Sequence, residues 1–378
     1  MRGALIAGLV VTQGMWAQAL IDGSRIPANL RNFTPDPQEE RLRCDVTPVK
    51  PSLDFGFRFQ TGYNVAVPMS QYAGAKHGWA TVTRVTPEHG APAYLSSRVF
   101  LPDVPVTKIT THTFGGFLVG PGKYRVDWMM IDDRERVCRK SWTIEAKLTR
   151  SERQVEPAIP PDSVRDFGVT MASRKSEPTA PDAPPFRLTV LLHAAPATPR
   201  RIHMRANDRI LLLSTLSALV ERAHATSVRV AVFNLEKQRV LYRRDDFRLR
   251  MIGDVSRALN RLELDTIDVQ TLQNRHGHIG LLESLIAEET TATQPADAVV
   301  FLGPAARFLD KPPSKTIQAP PEGMRFYYFQ YRPFASGMQP VLPDSIAGTL
   351  AGLKGRVFHI YSPKEFASAI SELDKLRR

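Results

Sequence analysis

Apolar and polar positions alternate with a period of two in several short runs of the front part of the chain. Leu53-Asp-Phe-Gly-Phe-Arg-Phe59 alternates as a half-buried strand does. Val82 and Val85 mark a second run, which stops at Pro87. Tyr124, Val126 and Trp128 alternate with Arg125 and Asp127, and Trp142 and Ile144 repeat the pattern. Gly115-Gly116 and Gly120-Pro121-Gly122 read as turns between these runs. Short strands with frequent glycine and proline breaks predict an all-β sandwich over residues 40–148.

The pattern then changes twice. Seven prolines (157, 160, 161, 178, 181, 184 and 185) fall within residues 151–186, among Ser, Thr, Asp and Glu. Proline supplies no donor to a central strand and breaks a helix, so this stretch predicts a semi-extended linker. Over 187–378, apolar runs alternate with helical spacings. Phe186 to Leu192 is continuously apolar, as expected of a strand covered on both faces. Asn207 is placed to cap a helix presenting Ile210, Leu213, Leu216, Leu219 and Val220. Val228 to Phe233 predicts a strand, and only a tight turn near Lys237 separates it from Val240-Leu241-Tyr242, so that pair should be antiparallel. Helices follow at Ile252–Leu262 and Ile279–Ala287, with strands at Ala298–Leu302, Phe326–Phe329 and Val357–Tyr361. Ser362-Pro-Lys-Glu365 has the form of a capping box with proline at the first helical position, ahead of Phe366, Ile370 and Leu373. The fold class expected is α/β, a doubly wound, mostly parallel sheet preceded by the β-sandwich.

Composition adds a compartment. The 378 residues are 43% hydrophobic and 23% charged, ordinary globular values that exclude wholesale disorder and a membrane bundle. Met1-Arg2 precedes an apolar run broken at Thr12, Gln13 and Gly14, and Ala17-Gln18-Ala19 is the small-x-small pattern that signal peptidase reads. Residues 1–19 are therefore expected to be an export signal, leaving no transmembrane segment and placing the protein in the periplasm or outside the cell. In an oxidising compartment the two cysteines, Cys44 and Cys138, form a disulfide rather than a thiol site. The net charge is +12, but its arginine pairs (Arg200-Arg201, Arg243-Arg244, Arg377-Arg378) are dispersed, which argues against nucleic acid as a partner.

The element order over 187–378 resembles the von Willebrand factor A fold, with five parallel strands, one antiparallel edge strand after the second, and helices on both sides. The stretch Gly122-Lys-Tyr-Arg-Val-Asp-Trp-Met-Met-Ile-Asp-Asp-Arg134, running on to Cys138-Arg-Lys-Ser-Trp142, is similar to the front half of exported bacterial proteins related to that family. Such resemblance implies a metal-ion-dependent adhesion site: Asp-x-Ser-x-Ser after the first strand, a threonine before the third helix and an aspartate after the fourth strand, whose hard oxygens hold Mg²⁺. Here the first motif is replaced by His193-Ala-Ala195-Pro-Ala197. The other two positions fall at Gly277-His278 and Gly303-Pro304. No cofactor and no Mg²⁺ is expected from them. The candidate binding residues are His193, His276 and His278, three imidazoles that would suit Zn²⁺ if they converged at the mouth of the first strand.

Other chemistry is sparse. No Gly-x-Ser-x-Gly elbow, phosphate loop or His-Glu-x-x-His occurs. Asp132-Asp133 with Arg134 and Arg136 reads as a solvated cluster, and Phe326-Tyr-Tyr-Phe329 as a core strand. The proline-bearing stretch 310–323 is a long loop on the functional face of such a sheet. The expected function is non-catalytic and metal-independent: interaction with, or scaffolding of, an envelope or extracellular protein. Two alternatives stand beside it, a metal-binding hydrolase using the three histidines and a binder of anionic envelope polymer.

Overall fold

The computed structural model describes residues 18–34, 37–167, 185–198, 201, 203–266, 269–308, 320–332 and 343–377. The chain is β-rich and mixed α/β, and divides into two compact units. The first comprises 18–52, 58–147 and 159–167. The second takes 53–57 and 148–158 from the front half of the chain and everything from 185 onward. Most of the expected signal, residues 1–17, and residues 168–184 of the expected linker lie outside the described residues.

The first unit holds β1 (Ala19–Ile21), α1 (Ala28–Arg31), β2 (Asp45–Leu53), β3 (Phe59–Pro68), β4 (Gly78–Pro87), β5 (Ala93–Phe100), β6 (Thr110–Val119), β7 (Gly122–Asp132), β8 (Val137–Ala146) and β9 (Val164–Asp166). One sheet has the order β1-β5-β4-β7-β8 and the other β2-β3-β6-β9. Tyr63, Val65 and Val67 of one sheet and Trp79, Trp128 and Met130 of the other share a single buried cluster, the packing of a sandwich. Cys44 and Cys138 are disulfide-bonded beside that cluster, with Cα atoms 6.3 Å apart.

Three sequence expectations are corrected here. Leu53–Phe59 is not a strand: β2 ends at Leu53, Phe57 turns with φ +59°, and β3 starts at Phe59. The alternation places Phe55 and Phe57 in the second unit, where Phe57 stacks on Phe366 at 5.6 Å and lies 4.0 Å beneath the Arg222 guanidinium. Gly115-Gly116 lies inside β6 and not in a turn. A Cβ on Gly115 would come within 2.2 Å of the Tyr63 ring, so the missing side chain is what lets that ring cross its neighbouring strand. Asp132 and Arg136 form a buried pair rather than a solvated one: Arg136 Nε and Nη2 donate to Asp132 Oδ2 at 2.9 and 2.6 Å, and Tyr72 Oη donates to the same oxygen at 3.0 Å.

The second unit holds β10 (Arg187–His193), α2 (Ala206–Arg222), β11 (Ser227–Asn234), β12 (Arg239–Arg244), α3 (Ile252–Asn260), α4 (Val269–Gln273), α5 (Gly277–Thr290), β13 (Ala298–Pro304), β14 (Arg325–Tyr331), α6 (Ser345–Gly352), β15 (Arg356–Ile360) and α7 (Pro363–Asp374). Its six-stranded sheet has the order β12-β11-β10-β13-β14-β15. β12 is antiparallel to β11, and the other neighbours are parallel. β10 and β13 are buried on both faces, which explains their unbroken apolar character. Leu191, Phe233, Phe301 and Tyr328 pack with Leu282 and Ile286 of α5 and with Ile346 and Leu350 of α6. Phe329 points the other way and meets Phe366 of α7 edge-on at 6.2 Å. Phe326–Phe329 is wholly buried, a core strand.

Asn207 does not cap α2, because the helix begins one residue earlier and Asp208 supplies the cap by accepting from Arg205 N at 2.9 Å. Residues 151–167 are structured: Val155 and Ile159 are buried, Ala158 N donates to Phe57 O at 2.7 Å, and Val164–Asp166 joins β6.

Candidate functional site

In a parallel sheet, ligands bind beyond the carboxyl ends of the strands, where neighbouring connections leave in opposite directions. Here that point lies between β10 and β13, since β10 leads to β11 on one side and pairs with β13 on the other. His193 closes β10 there and is 2% exposed. Its Nδ1 lies 3.2 Å from Pro304 O. A carbonyl only accepts, so Nδ1 carries the proton and Nε2 the lone pair. Nε2 meets no hydrogen-bond partner among the described residues. Burial pushes the imidazole down to about 4, which the Pro304 contact only partly opposes. The ring stacks on Phe233 at 5.4 Å.

The backbone of β13 comes close to His193 at this point. Gly303, with φ +148°, sits so close to His193 that a Cβ would stand 2.7 Å from His193 O. Asn234 Nδ2 donates to Ala194 O at 2.6 Å and its Oδ1 accepts from Lys237 N at 2.7 Å, tying β11 to the segment that follows β10. Pro304 O also accepts from Tyr328 Oη at 2.8 Å.

Two carboxylates that the sequence reading did not place reach this rim. Asp208 accepts from Ala197 N at 3.1 Å as well as from Arg205 N. Asp344 accepts from Ala347 N at 3.0 Å, from Tyr328 Oη at 3.4 Å and from Gln330 Nε2. Gln330 Oε1 in turn accepts from Arg332 Nε at 2.5 Å and His359 Nδ1 at 2.8 Å. Burial raises Asp344 despite those donors, and burial followed by the Arg332 charge lowers His359. The signal for Asp344 was available: Pro-Asp-Ser ahead of Ile346 and Leu350 has the form of a helix N-terminus. Each acid accepts hydrogen bonds at both oxygens and serves as a cap at the start of its helix.

The three candidate histidines are not brought together. His276 precedes α5 with its side chain exposed, its carbonyl accepting from Ile279 N at 2.9 Å. His278 is buried and stacks on Phe308 at 4.1 Å. No group of three or more His, Cys, Asp or Glu able to hold a metal ion exists among the described residues. The alternative of a three-histidine zinc mouth thus finds no cluster to support it: His193 packs on Phe233 and His278 on Phe308.

No protein-family model matches this chain, and no curated protein matches it either. Among solved structures, a Bordetella pertussis protein provisionally named ApaA aligns at 12% identity over 29% of this chain and 99% of its own, with a TM-score of 0.20. A glycosyl hydrolase family 2 member from Bacteroides cellulosilyticus aligns at 10% identity over 87% of this chain and 40% of its own, again at 0.20. Bacteroides uniformis beta-glucuronidase 2, as a calcium-binding mutant, aligns at 9% over 82% and 38%, at 0.19. The chain spans about two fifths of the length of either hydrolase. Scores this low assign neither fold nor activity.

Proposed function

We propose that this is an exported, non-catalytic interaction protein, whose second unit is a von Willebrand factor A-like domain that holds a protein partner without a metal ion. The carrying observation is the carboxyl rim. The positions where such a domain would place its metal-binding oxygens are His193, Ala195, Ala197, Gly303 and Pro304, which carry no side-chain oxygen, and Gly303 lies so close to His193 that no side chain fits there. The six-strand order with its single antiparallel edge supports the domain reading. The Cys44–Cys138 disulfide is compatible with export, and no helix among the described residues is long and apolar enough to cross a membrane. Gln18 and Ala19, the last two residues of the expected signal, are built into the first unit, Gln18 Nε2 donating to Tyr63 Oη and to Thr83 Oγ1 at 3.2 Å, which counts against a cut after Ala19 and favours one ahead of Gln18.

In-cell cross-linking in the presence of a chelator, followed by fractionation, tests the reading. Export predicts an oxidised protein in the periplasm or medium, with a mass showing the leader removed. Metal independence predicts the same cross-linked partner band with and without chelator. Retention in the cytoplasm, or a band that chelation abolishes and Mg²⁺ restores, would overturn it.

A further inference from the structure

The first unit carries a pair of arginines, Arg41 and Arg43, whose side chains are exposed. Residues 40–45 run extended into β2, with Leu42 N donating to Val137 O at 2.9 Å and Val137 N to Glu40 O at 2.8 Å. Leu42 turns into the core at 1% exposure, which sends Arg41 and Arg43 to the opposite face. The segment is held at two further points. The Gln71 amide clamps Arg43, its Oε1 accepting from Arg43 N at 3.2 Å and its Nε2 donating to Arg43 O at 2.8 Å. The disulfide pins Cys44. Arg41 and Arg43 then line an open cleft of about 490 Å³, floored by Ala66 and Pro68 of β3 and edged by Thr110 and Asp45. Neither guanidinium has an ion-pair partner among the described residues. Beyond Thr110, Ile109 is 66% exposed and Val106 94%.

We infer that this cleft binds an extended, acidic protein segment carrying carboxylates at alternate positions. This rests on the reading of the chain as an interaction protein and names the chemistry of its partner. Residues two apart on an extended backbone are about 6.5–7 Å apart, and an extended ligand repeats that spacing, so each guanidinium meets one carboxylate in fork geometry. The aliphatic stems of the acidic side chains lie on Ala66 and Pro68. Glu40 precedes the arginine pair and Asp45 follows it. A long polyanion running through the cleft would meet like charge at both ends, whereas a two-carboxylate motif fits between them. Because the segment is tethered before the ligand arrives, little ordering entropy is lost on binding.

The test is fluorescence anisotropy of a labelled ten-residue peptide of alternating Glu and Thr against the full-length oxidised protein. The proposal expects saturable binding, weakened about tenfold or more by Arg41→Gln and by Arg43→Gln, partly restored by Arg41→Lys, and unchanged by Lys364→Gln in the second unit. The same peptide with Gln for Glu should not bind, and inorganic polyphosphate should compete poorly. Unchanged tryptophan fluorescence certifies that the variants fold. No binding by the wild type, binding indifferent to Arg41 and Arg43, or polyphosphate competing better than the peptide would each overturn the site. The chelator-insensitive cross-link would survive any of these, so the two readings fail separately.

Discussion

His193 gives the second unit a pH-dependent stability that can be worked from its surroundings. The imidazole is sealed at 2% exposure, its one polar contact is the Pro304 carbonyl, and its folded value is about 4 against 6.5 when unfolded. The unfolded chain therefore binds the proton more readily, and stability rises with pH. The contribution is fully present above about 6.5 and is lost as the pH falls from there to about 4. The complete shift is worth about 3 kcal/mol, and the part lost between pH 7 and pH 5 about 2 kcal/mol. Urea unfolding at the two pH values, followed by far-ultraviolet circular dichroism, reads this, because helices α2–α7 all belong to the second unit. His193→Gln removes the titrating group while keeping a donor able to reach the Pro304 carbonyl. Wild type minus variant isolates one side chain from the opposing His77, whose value is raised by its contacts to Ala73 O and Asp133. If both proteins lose the same stability between pH 7 and pH 5, the assignment of a neutral, sealed imidazole is wrong.

Further outcomes follow from the packing. Arg136→Met leaves Asp132 buried without its guanidinium and should destabilise the first unit by about 3–5 kcal/mol, read by fluorescence of Trp79, Trp128 and Trp142. Reducing the Cys44–Cys138 bridge, which spans 94 residues, should lower the stability of that unit by about 4–5 kcal/mol in the chain-entropy model, read as a fall in its urea midpoint with dithiothreitol. Phe57→Ala removes a fully buried ring between Phe366 and Arg222 and should cost about 3–5 kcal/mol, with the helical signal melting first. A tryptophan transition that moves before the helical one would contradict the placement of Phe57.

The parallel strands were legible because burial on both faces leaves a continuous apolar mark, as in Val190–Leu192 and Val299–Leu302. The antiparallel edge was legible because a connection as short as residues 235–238 allows no parallel crossover. What escaped was identity of context. Period two at Leu53–Phe59 marks alternate burial, but it cannot say which core receives the rings. Gly115 looks like a turn residue until Tyr63 is seen to need its space. Asp132 and Arg136 read as surface charge because the Tyr72 hydroxyl that reaches Asp132 is a tertiary neighbour. At the rim, the absence of oxygen-bearing side chains was visible in His193–Ala197. Asp208 and Asp344 were not placed there because both arrive from helix starts rather than from the strand ends.

The path of residues 53–57 and 148–158 has a genetic consequence. Gene fusions and domain deletions are commonly cut where a proline-rich stretch advertises a seam, here around 170–185. A fragment begun there would leave Phe366 and Tyr331 without Phe55 and Phe57, rings supplied from far upstream. The back half of this chain is thus no portable cassette: in recombination, as in expression cloning, it travels only with the front half that finishes its core.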